Sequence, residues 1–424
     1  MLDIAIVTGA RTPFVKAFGP LSSVPAYELG RIVTTATLAR AQLPSAHVDQ
    51  VIFGNVATPA EAANIARVIA LQSGIPQDRI AHTVQRNCAS GLEAITTAAQ
   101  LVQLGEAQIV VAGGTESMSQ IPLLYSQEAT ALFLQLSQAK SLWQRLQTLL
   151  RFRPRHLKPV PALKLGLTDP VSGLIMGATA EVLAEEFAIR REEQDEYAML
   201  SHQRAVAAQR EGRFNDEIVP VTANGKEISQ DIGPRADQSM AALAKLRPFF
   251  KKDGTVTVGN SCSITDGAVA VLLMPGERAR AEGRQPLGYI RAFAYAGCDP
   301  RRMGLGPIFA TTKLLERHDL RLADIDLIEL NEAFAAQVIA NEKAFASAEF
   351  ARQELGRAEP VGELRRERLN VNGGAIALGH PVGATGTRLV LTVLHELKRR
   401  QLRRGLATLC IGGGQGGAVL VERA

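Results

Sequence analysis

The chain is poor in the features that mark several common classes of protein. It has four cysteines in 424 residues and none forms a CxxC pair, so neither a disulfide framework nor a zinc knuckle is expected. It has no aromatic-and-basic strand pattern of the RNA-binding type. No apolar run of about 18 residues appears, so no transmembrane helix is expected. The start MLDIAIVTGARTPF lacks the parts of a secretory signal. These absences predict a reducing compartment, the cytoplasm.

The composition that is present favours a folded chain with a large core. Hydrophobic residues make up 46% and charged residues 21%, which suggests two or three packed units rather than disorder. The formal net charge of +5 favours anionic partners, such as a phosphorylated cofactor, without implying nucleic acid.

Short apolar runs alternate with helical patterns, which is typical of an α/β fold. The predicted strands are Ile4–Val7, Val51–Phe53, Ile109–Ala112, Leu327–Leu330 and Ala407–Ile411. The predicted helices are Tyr27–Ala41, Ala62–Ser73, Ser90–Leu104, Thr179–Glu186, Arg191–Glu211 and Gly386–Arg399.

A weak internal repeat divides the chain. Each half contains a strand, a turn with a reactive residue, a helix, and a strand that ends in glycines. In the first half the turn carries Cys88 and the last strand is IVVAGGTES; in the second half they are His380 and LATLCIGGGQGG. Two similar halves are expected to place their reactive turns at facing helix ends.

Residues 119–261 interrupt this pattern and are predicted to form an inserted subdomain. Residues 129–168 contain seven Lys or Arg and no acidic residue. Within them, SLWQRLQTLLRF (141–152) has amphipathic helical spacing. One interpretation is a solvated basic face with an ordinary core stripe. The other is a surface for membrane phospholipid, an acidic partner or cofactor phosphates.

Cys88 is the first candidate for chemistry. In RNCASGLEAITTAAQL (86–101) it stands at a turn that leads into a helix. The helix macrodipole, about half a charge, stabilises a thiolate at such a position. An inert buried cysteine is the commoner alternative for a lone cysteine.

His380 and Cys410 stand in glycine-rich segments. His380 lies in NGGAIALGHPVGATGTRLV, where a loop histidine is suited to act as a base, or merely to cap backbone carbonyls. Cys410 ends a strand directly before three glycines, whose amides can bind an oxyanion. Asn331, in ELNEAFAAQ, is either a helix N-cap or a group that positions a water or an oxyanion.

This combination, in this order, resembles the thiolase family over nearly the whole chain. The matching segments are ARTPF, NCASGLEA, VVAGGTESM, GTVTVGNSCSITDGA, NEAFAAQ, GGAIALGHPVGATG and CIGGGQGG. The resemblance implies two βαβαβαββ halves in a five-layer α/β/α/β/α arrangement with an inserted loop subdomain. The expected boundaries are 1–284, which includes the insertion at 119–261, and 285–424.

The resemblance also implies the catalytic roles. Cys88 is the acylated nucleophile, His380 takes its proton, and Cys410 exchanges protons with the enolate and with CoA. His380 and a water on Asn331 serve one oxyanion, and the amides of Cys88 and Gly412 serve the other. CoA is a co-substrate, and neither a tightly bound cofactor nor a metal is expected.

The resemblance also assigns residues to substrate and CoA binding, and ordinary core packing is the alternative for Leu167, Met176, Met303 and Phe334. Cys262 stands where the family has a serine that contacts pantetheine, so either it or a neighbouring serine is expected to contact CoA. The assigned residues are Leu167, Met176, Ser261, Cys262, Ser263, Met303, Ala333 and Phe334. Cys298 is expected to be passive.

The segment 141–161, the run 192–205 and the insert Phe345–Arg368 are similar to the β-subunit of fatty-oxidation trifunctional complexes. This implies degradation of medium- or long-chain 3-oxoacyl-CoA with a hydratase/dehydrogenase α-subunit as partner, whereas the wider thiolase resemblance implies a homodimer or homotetramer. That subgroup usually has His-Glu-Ala-Phe, where this chain has Asn331-Glu332-Ala333-Phe334. The alternatives are a biosynthetic acetoacetyl-CoA thiolase, a decarboxylating ketosynthase and a non-catalytic scaffold or membrane tether.

Overall fold

Strands and helices alternate along residues 2–424, which are the part of the chain that the computed structural model describes. The strands are β1 (Ile4–Arg11), β2 (Val15–Lys16), β3 (Gln50–Gly54), β4 (Ile80–Val84), β5 (Val110–Ser117), β6 (Leu123–Leu124), β7 (Val160–Pro161), β8 (Val221–Ala223), β9 (Lys226–Ile228), β10 (Thr265–Pro275), β11 (Gly288–Gly297), β12 (Leu327–Leu330), β13 (Arg404–Ile411) and β14 (Gln415–Arg423).

The α-helices of the same residues follow the pattern predicted from the sequence, with additions. They are α1 (Ala26–Arg40), α2 (Ile65–Gln72), α3 (Ser90–Leu104), α4 (Gln127–Gln138), α5 (Leu142–Leu150), α6 (Ala162–Gly166), α7 (Met176–Glu186), α8 (Arg191–Arg210), α9 (Met240–Ala244), α10 (Gly276–Ala281), α11 (Gly306–Arg317), α12 (Ala335–Ala346), α13 (Ala348–Glu354), α14 (Ala375–Leu378) and α15 (Thr385–Arg400).

The strand order shows the internal repeat directly. It runs β4-β3-β5-β10-β1 through the first half and β11-β14-β13-β12 through the second. β3 is parallel to β5, which is antiparallel to β10; β12 is likewise parallel to β13, which is antiparallel to β14. The halves join where β1 pairs with β11 over Ile4–Ile6. The predicted α/β fold with two similar halves is therefore confirmed.

Five layers follow from the way the helices cover the strands. α1 and α2 pack on the outer face of the first half, and α11 packs on the outer face of the second. α3 and α15 pack against each other and lie between the two sets of strands. Three buried apolar clusters fill the spaces between these layers. The equivalent helices α3 and α15 thus form the central layer, and the Cys88 and His380 turns immediately precede them.

Local sequence explains where two first-half helices begin and end. α3 spans Ser90–Leu104 as predicted, and Gly105 ends it in the left-handed conformation with φ +76°, which glycine adopts without strain. α2 begins at Ile65 rather than at the predicted Ala62. The Asn64 side chain accepts a hydrogen bond from the Arg67 amide and so caps the helix there.

The insertion between β5 and β10 carries a helical hairpin of α4 and α5. α5 is the amphipathic helix predicted from SLWQRLQTLLRF, and it begins with a capping box between Ser141 and Gln144. Leu142, Trp143 and Leu150 are 83%, 66% and 77% exposed. The interpretation of an ordinary core stripe is therefore wrong for α5, because its apolar side chains do not face the core. No helix of residues 2–424 is long and apolar enough to cross a membrane.

The insert that the resemblance predicts over Phe345–Arg368 begins at the end of α12. Phe345 itself is fully buried in the last turn of α12 and packs in the core of that half. The rest of the segment includes α13 and an irregular stretch up to Arg368.

Candidate active site

A rigid turn presents Cys88 just ahead of α3. Asn87 has φ +45°, a conformation that asparagine tolerates better than most residues. The Ser90 hydroxyl donates to the Asn87 carbonyl at 2.7 Å and accepts from the Arg86 amide at 2.9 Å. Arg86 is held in turn by Glu93 at 2.7 Å. The nucleophile candidate is therefore fixed by its immediate neighbours in sequence.

The Cys88 sulfur faces two backbone amides. Those of Gly412 and of Cys88 itself lower the pKa of its thiol, although burial outweighs them and raises the pKa overall. Asn87 Nδ2 donates to the Gly412 carbonyl at 2.7 Å, which locks the two segments together. Cys88 therefore rests as a thiol and needs a base. The amides can stabilise negative charge once it develops.

The hydrogen bonds of His380 define which ring nitrogen is free. Thr385 Oγ1 donates to the Pro381 carbonyl at 3.1 Å, so it accepts from His380 Nδ1–H at 2.7 Å. This leaves the lone pair on Nε2, the nitrogen that faces Asn331 Nδ2 at 3.4 Å. Burial, followed by the charge of Arg388, lowers the pKa of His380 to about 3. The imidazole is therefore neutral and able to accept a proton.

Asn331 connects the end of β12 to this imidazole. Its amide N–H donates to the Thr408 carbonyl at 3.0 Å, which fixes the backbone. Its side chain is fully buried, and Oδ1 has no hydrogen-bond partner among the described residues. A buried acceptor without a partner is costly unless water or a ligand satisfies it. Asn331 does not cap a helix, because α12 begins four residues later at Ala335.

Cys410 is delivered by β13 to the loop of Gly412, Gly413 and Gly414, which leads into β14. It is 1% exposed, and burial raises the pKa of its thiol well above the ordinary value. The neighbouring thiols Cys88 and Cys262 raise that pKa further. Cys410 therefore stays protonated near the nucleophile, as a proton donor must.

Close packing of α3 on α15 brings the two reactive turns together. The Thr387 hydroxyl donates to the Gly91 carbonyl at 3.0 Å. A Cβ at Gly91 would lie 2.7 Å from the Gly383 carbonyl oxygen, and a Cβ at Gly114 would lie 1.9 Å from the same atom. Only glycines allow this approach. The expected facing helix ends are thus observed.

The segment 261–263 lies beside both the loop that carries His380 and the residues that follow β12. The Cys262 amide donates to the Ala333 carbonyl at 3.0 Å, Ser261 forms a β-bridge with Phe334, and the Ser263 carbonyl accepts from the His380 amide at 3.3 Å. The Ser261 hydroxyl is used internally, since it donates to the Thr257 carbonyl at 2.6 Å. Cys262 is half-buried, and burial raises its pKa to about 12.

Of the other predicted pocket residues, Met176 lies beside the glycine loop that follows Cys410. A Cβ at Gly412 would lie 3.3 Å from Met176 Sδ. Leu167 lies next to Met176, whose amide donates to the Leu167 carbonyl at 2.9 Å. Met303 is buried in the apolar cluster that also holds Cys410 and Phe334. It therefore lies with the second-half core behind the site.

The fourth cysteine, Cys298, lies at the outer side of the glycine loop. Its amide donates to the Gly414 carbonyl at 2.7 Å. Burial raises the pKa of its thiol to about 12. A thiol of this kind is protonated at neutral pH, which agrees with the expected passive role.

Sequence reasoning missed three residues that support the site. Thr385 orients His380. Glu332 is a buried carboxyl that accepts from Ser201 Oγ at 2.6 Å, as well as from Tyr197 and Asn370. Glu116 joins β5 to the histidine loop. Thr385 stands five residues after His380 and was detectable as a nearby hydroxyl; the partners of the two glutamates are too distant in sequence to infer.

No group of three or more His, Cys, Asp or Glu side chains in residues 2–424 is arranged to hold a metal ion. The site itself offers two thiols, one neutral imidazole, one carboxamide and the backbone amides of a glycine loop. This set suits covalent transfer of an acyl group.

Comparison with known proteins agrees with this geometry. The family model "Thiolase, N-terminal domain" matches residues 4–277, and "Thiolase, C-terminal domain" matches residues 284–423. The chain belongs to the thiolase family. The resemblance that the sequence motifs indicated is thereby confirmed.

Among related thiolases, the 3-ketoacyl-CoA thiolase of Serratia proteamaculans is 44% identical and that of Yersinia enterocolitica is 42% identical. Each comparison covers 99% of this chain and 96% of the relative.

Two solved thiolase structures have the same fold. The Bacillus anthracis acetyl-CoA acetyltransferase has a TM-score of 0.88 at 39% identity, with 100% of this chain and 99% of that chain covered. Human mitochondrial 3-ketoacyl-CoA thiolase, solved in complex with CoA, has a TM-score of 0.86 at 36% identity, with 99% and 98% covered.

Proposed function

We propose that this thiolase cleaves 3-oxoacyl-CoA with CoA to give acyl-CoA and acetyl-CoA in fatty acid β-oxidation. The observation that carries the proposal is the close approach of the Cys88 turn and the loop of a neutral His380 at the facing ends of α3 and α15, with Cys410 near Cys88 at the end of β13. The full-length relatives named 3-ketoacyl-CoA thiolase support it. CoA is a co-substrate that arrives and leaves in each cycle.

The first half-reaction acylates Cys88. His380 Nε2 takes the thiol proton, and the thiolate attacks the C3 carbonyl. When the tetrahedral intermediate collapses, the C2–C3 bond breaks and its electron pair leaves with the acetyl-CoA enolate. The Cys410 thiol protonates C2 and becomes a thiolate. Its raised pKa favours the protonated form needed at the start of this step.

The second half-reaction regenerates the enzyme. The Cys410 thiolate takes the proton of the incoming CoA thiol, and the CoA sulfur attacks the acyl-Cys88 thioester. The Cys88 thiolate leaves and recovers its proton from the His380 imidazolium. Dividing one difficult carbon–carbon cleavage into two acyl transfers is the advantage of the covalent intermediate.

Two groups of donors stabilise the negative charge on oxygen. The amides of Cys88 and Gly412, which face the sulfur, receive the oxyanion formed at the acyl carbon. Protonated His380 and a water held by Asn331 Oδ1 receive the enolate oxygen. Each such donor typically lowers the barrier by about 2.7–4 kcal/mol.

The pantetheine arm and the acyl chain occupy the space beside segment 261–263, Met176 and Phe334. Because the Ser261 hydroxyl is already bonded within the protein, Cys262 and Ser263 are the better candidates to contact CoA. The Phe334 ring packs edge-on against Phe250, with centroids 5.9 Å apart, and so forms one wall. Leu167, Met303 and Ala333 back these residues.

The experiment that tests the function is a thiolysis assay across 3-oxoacyl-CoA chain lengths, with Cys88→Ala as the inactive control. Degradation predicts efficient cleavage of medium or long chains. The second candidate is a biosynthetic acetoacetyl-CoA thiolase, which the structural neighbour described as an acetyl-CoA acetyltransferase favours. It predicts cleavage of acetoacetyl-CoA alone, together with efficient condensation of two acetyl-CoA molecules.

Two further alternatives are less well supported. A decarboxylating ketosynthase usually has a second histidine where this chain has Cys410, and it would release CO2 from a malonyl thioester. A non-catalytic scaffold or tether has no use for a neutral buried imidazole beside two thiols. The absence of turnover in the purified protein would favour that second alternative.

The edge strand β4 supports a homodimer, from which a homotetramer can be built. β4 pairs with β3 on one side only, and its residues Ile80–Val84 are half-buried or exposed. An edge strand with open hydrogen-bonding groups readily pairs with a second copy. Light scattering measures the resulting mass.

The hairpin of α4 and α5 supports contact with the surface of an anionic membrane. Its exposed apolar side chains stand beside basic residues with no acid in 129–168. A helix of this kind lies in the membrane interface, where basic residues attract anionic lipids.

A hydratase/dehydrogenase α-subunit is the second proposed partner, and only the resemblance supports it. Co-expression of the two chains followed by gel filtration tests this partnership.

The cytoplasm is the compartment that fits a chain whose reactive thiols must stay reduced.

We divide the chain at residues 284/285, between α10 and β11, with the insertion at 119–261 in the first part. The first family model ends at residue 277 and the second begins at 284, one residue before the proposed second part.

A further inference from the structure

Glu116 is a fully buried carboxylate that the proposed mechanism does not use. It lies near the end of β5 and is 0% exposed. Its Oε1 accepts from Asn55 Nδ2 and from the Ala57 amide, both at 3.0 Å. Its Oε2 accepts from the amides of Val56 and Gly383, also both at 3.0 Å. Both oxygens are therefore saturated by donors.

These donors come from distant parts of the chain. Residues 55–57 follow β3 in the first half, whereas Gly383 lies in the second half between His380 and α15. The fit is tight, because a Cβ at Gly383 would lie 2.7 Å from Glu116 Oε2. Glu116 is thus the carboxylate that joins the His380 loop to the first half.

Within residues 2–424 no guanidinium or ammonium donates to this carboxylate; each hydrogen bond comes from an amide. A buried carboxylate bound by amides alone orients those amides strongly. The charge of Glu116 also acts on Cys88, because it contributes to the raised pKa of the Cys88 thiol. The geometry therefore favours a role in holding the backbone over a role in activating Cys88.

We propose that Glu116 is a positioning residue, which holds the His380 loop against the end of β3 so that the imidazole is aligned with Cys88. The proposal rests on the proposed acyl transfer. Glu116 touches neither substrate nor reacting atoms, and it acts through the Gly383 amide. The alternative is a purely structural hydrogen-bond centre whose loss affects folding but not turnover.

Glu116→Gln tests the proposal because a carboxamide has one acceptor oxygen, and its NH2 group would face two amide donors. We expect kcat to fall about 10- to 100-fold, the effect of a misplacement of roughly 1 Å. The KM values for CoA and 3-oxoacyl-CoA should stay within about threefold, since positioning and not uniform binding is lost. Alkylation of Cys88 by iodoacetamide should slow in parallel.

Glu217→Gln is the matched control. Glu217 is also buried, but it pairs with Arg11 and Thr392 away from the site, so kcat should stay near the wild-type value even if the melting temperature falls. Glu116→Asp is the second variant: it keeps the charge but shortens the side chain, so it should fold and still lose kcat.

The outcomes are distinct. Loss of kcat in both Glu116 variants with KM retained supports the proposal. Wild-type kcat in folded Glu116→Asp, or in folded Glu116→Gln, overturns it. If the wild-type protein itself shows no thiolysis, the proposed function fails, and the rate of Cys88 alkylation in the same variants then decides the positioning role.

Discussion

Asn331 Nδ2 lies 3.4 Å from His380 Nε2, while the Oδ1 of the same carboxamide has no partner among the described residues. The nitrogen and the oxygen of this one side chain therefore have different roles. The NH2 group approaches the ring nitrogen that must accept a proton, and its long distance leaves that lone pair available. The oxygen is left to hold a water, which connects the carboxamide to the enolate oxygen in the proposed mechanism.

Asn331→Ala should lower kcat of thiolysis about 100- to 1,000-fold, because it removes the support of one oxyanion site. KM should change little, since the water contributes mainly in the transition state. Asn331→His should retain much more activity, because an imidazole also offers an acceptor atom that can hold the water. Steady-state kinetics of all three proteins provide the comparison. Equal kcat in the alanine variant and the wild type would remove Asn331 from the mechanism.

Thr385→Val should lower kcat about tenfold. The substitution keeps the shape of the side chain but removes the oxygen that accepts from His380 Nδ1–H, so neither the tautomer nor the ring orientation is fixed. Thr392→Val is the control, because Thr392 lies on the same helix and bonds to Glu217 instead. If both valine variants lose activity equally, the effect belongs to α15 and not to the tautomer of His380.

Stability should depend on pH through Glu116. Burial raises the pKa of its carboxyl to about 7 from 4.5, so the folded state holds the proton more tightly than the unfolded state. The stabilisation from this group is present below pH 4.5 and is lost as pH rises through about 7.

The free energy of unfolding of the wild type, relative to Glu116→Gln, should therefore fall between pH 5 and pH 8. The fall should be on the order of 2 kcal/mol, because one pKa unit corresponds to about 1.4 kcal/mol. Denaturant titrations at one fixed protein concentration measure it. A difference that stays constant with pH would show that Glu116 ionises as an ordinary surface carboxyl does.

The hairpin of α4 and α5 should bind vesicles that contain anionic phospholipid. Trp143 is the only tryptophan of the chain and is largely exposed, so its fluorescence should shift to shorter wavelength on binding. Added salt should weaken binding, because the basic residues of 129–168 supply part of the attraction.

Leu142→Glu combined with Leu150→Glu should abolish vesicle binding and leave thiolysis unchanged. Both leucines are exposed, so their replacement disturbs no packing. Binding of the wild type to neutral vesicles as strongly as to anionic ones would contradict the electrostatic part of the proposal. Absence of binding to either would leave the hairpin as a surface for a protein partner.

The elements that were predicted well are those whose ends are set locally. α3 is bounded by its own sequence, and the buried strand β12 matches its predicted span Leu327–Leu330. The edge strand β4 was missed because Ile80–Val84 has neither a continuous apolar run nor a clear alternation. β10 and β11, which carry much of the sheet, were also absent from the predicted strands.

The residues of the candidate site also separate into those that local sequence indicates and those that it does not. Cys88, His380 and Cys410 were predicted because they stand in glycine-containing turns, and Asn331 because it follows a strand end; the order of all four matches a family. Glu116 was not found, because its partners lie 59 to 61 and 267 positions away. Long-range hydrogen bonds of this kind depend on how β5, the His380 loop and the end of β3 pack together, which no local pattern encodes.

Trapping the acyl-enzyme tests the central claim most directly. The protein is mixed with 3-oxoacyl-CoA in the absence of free CoA, and the intact mass and the modified peptide are measured by mass spectrometry. The account predicts one acyl group on Cys88, release of acetyl-CoA, and loss of the acyl group when CoA is added; Cys298→Ser should behave as the wild type does. Acylation at another residue, or thiolysis by Cys88→Ala, would contradict it.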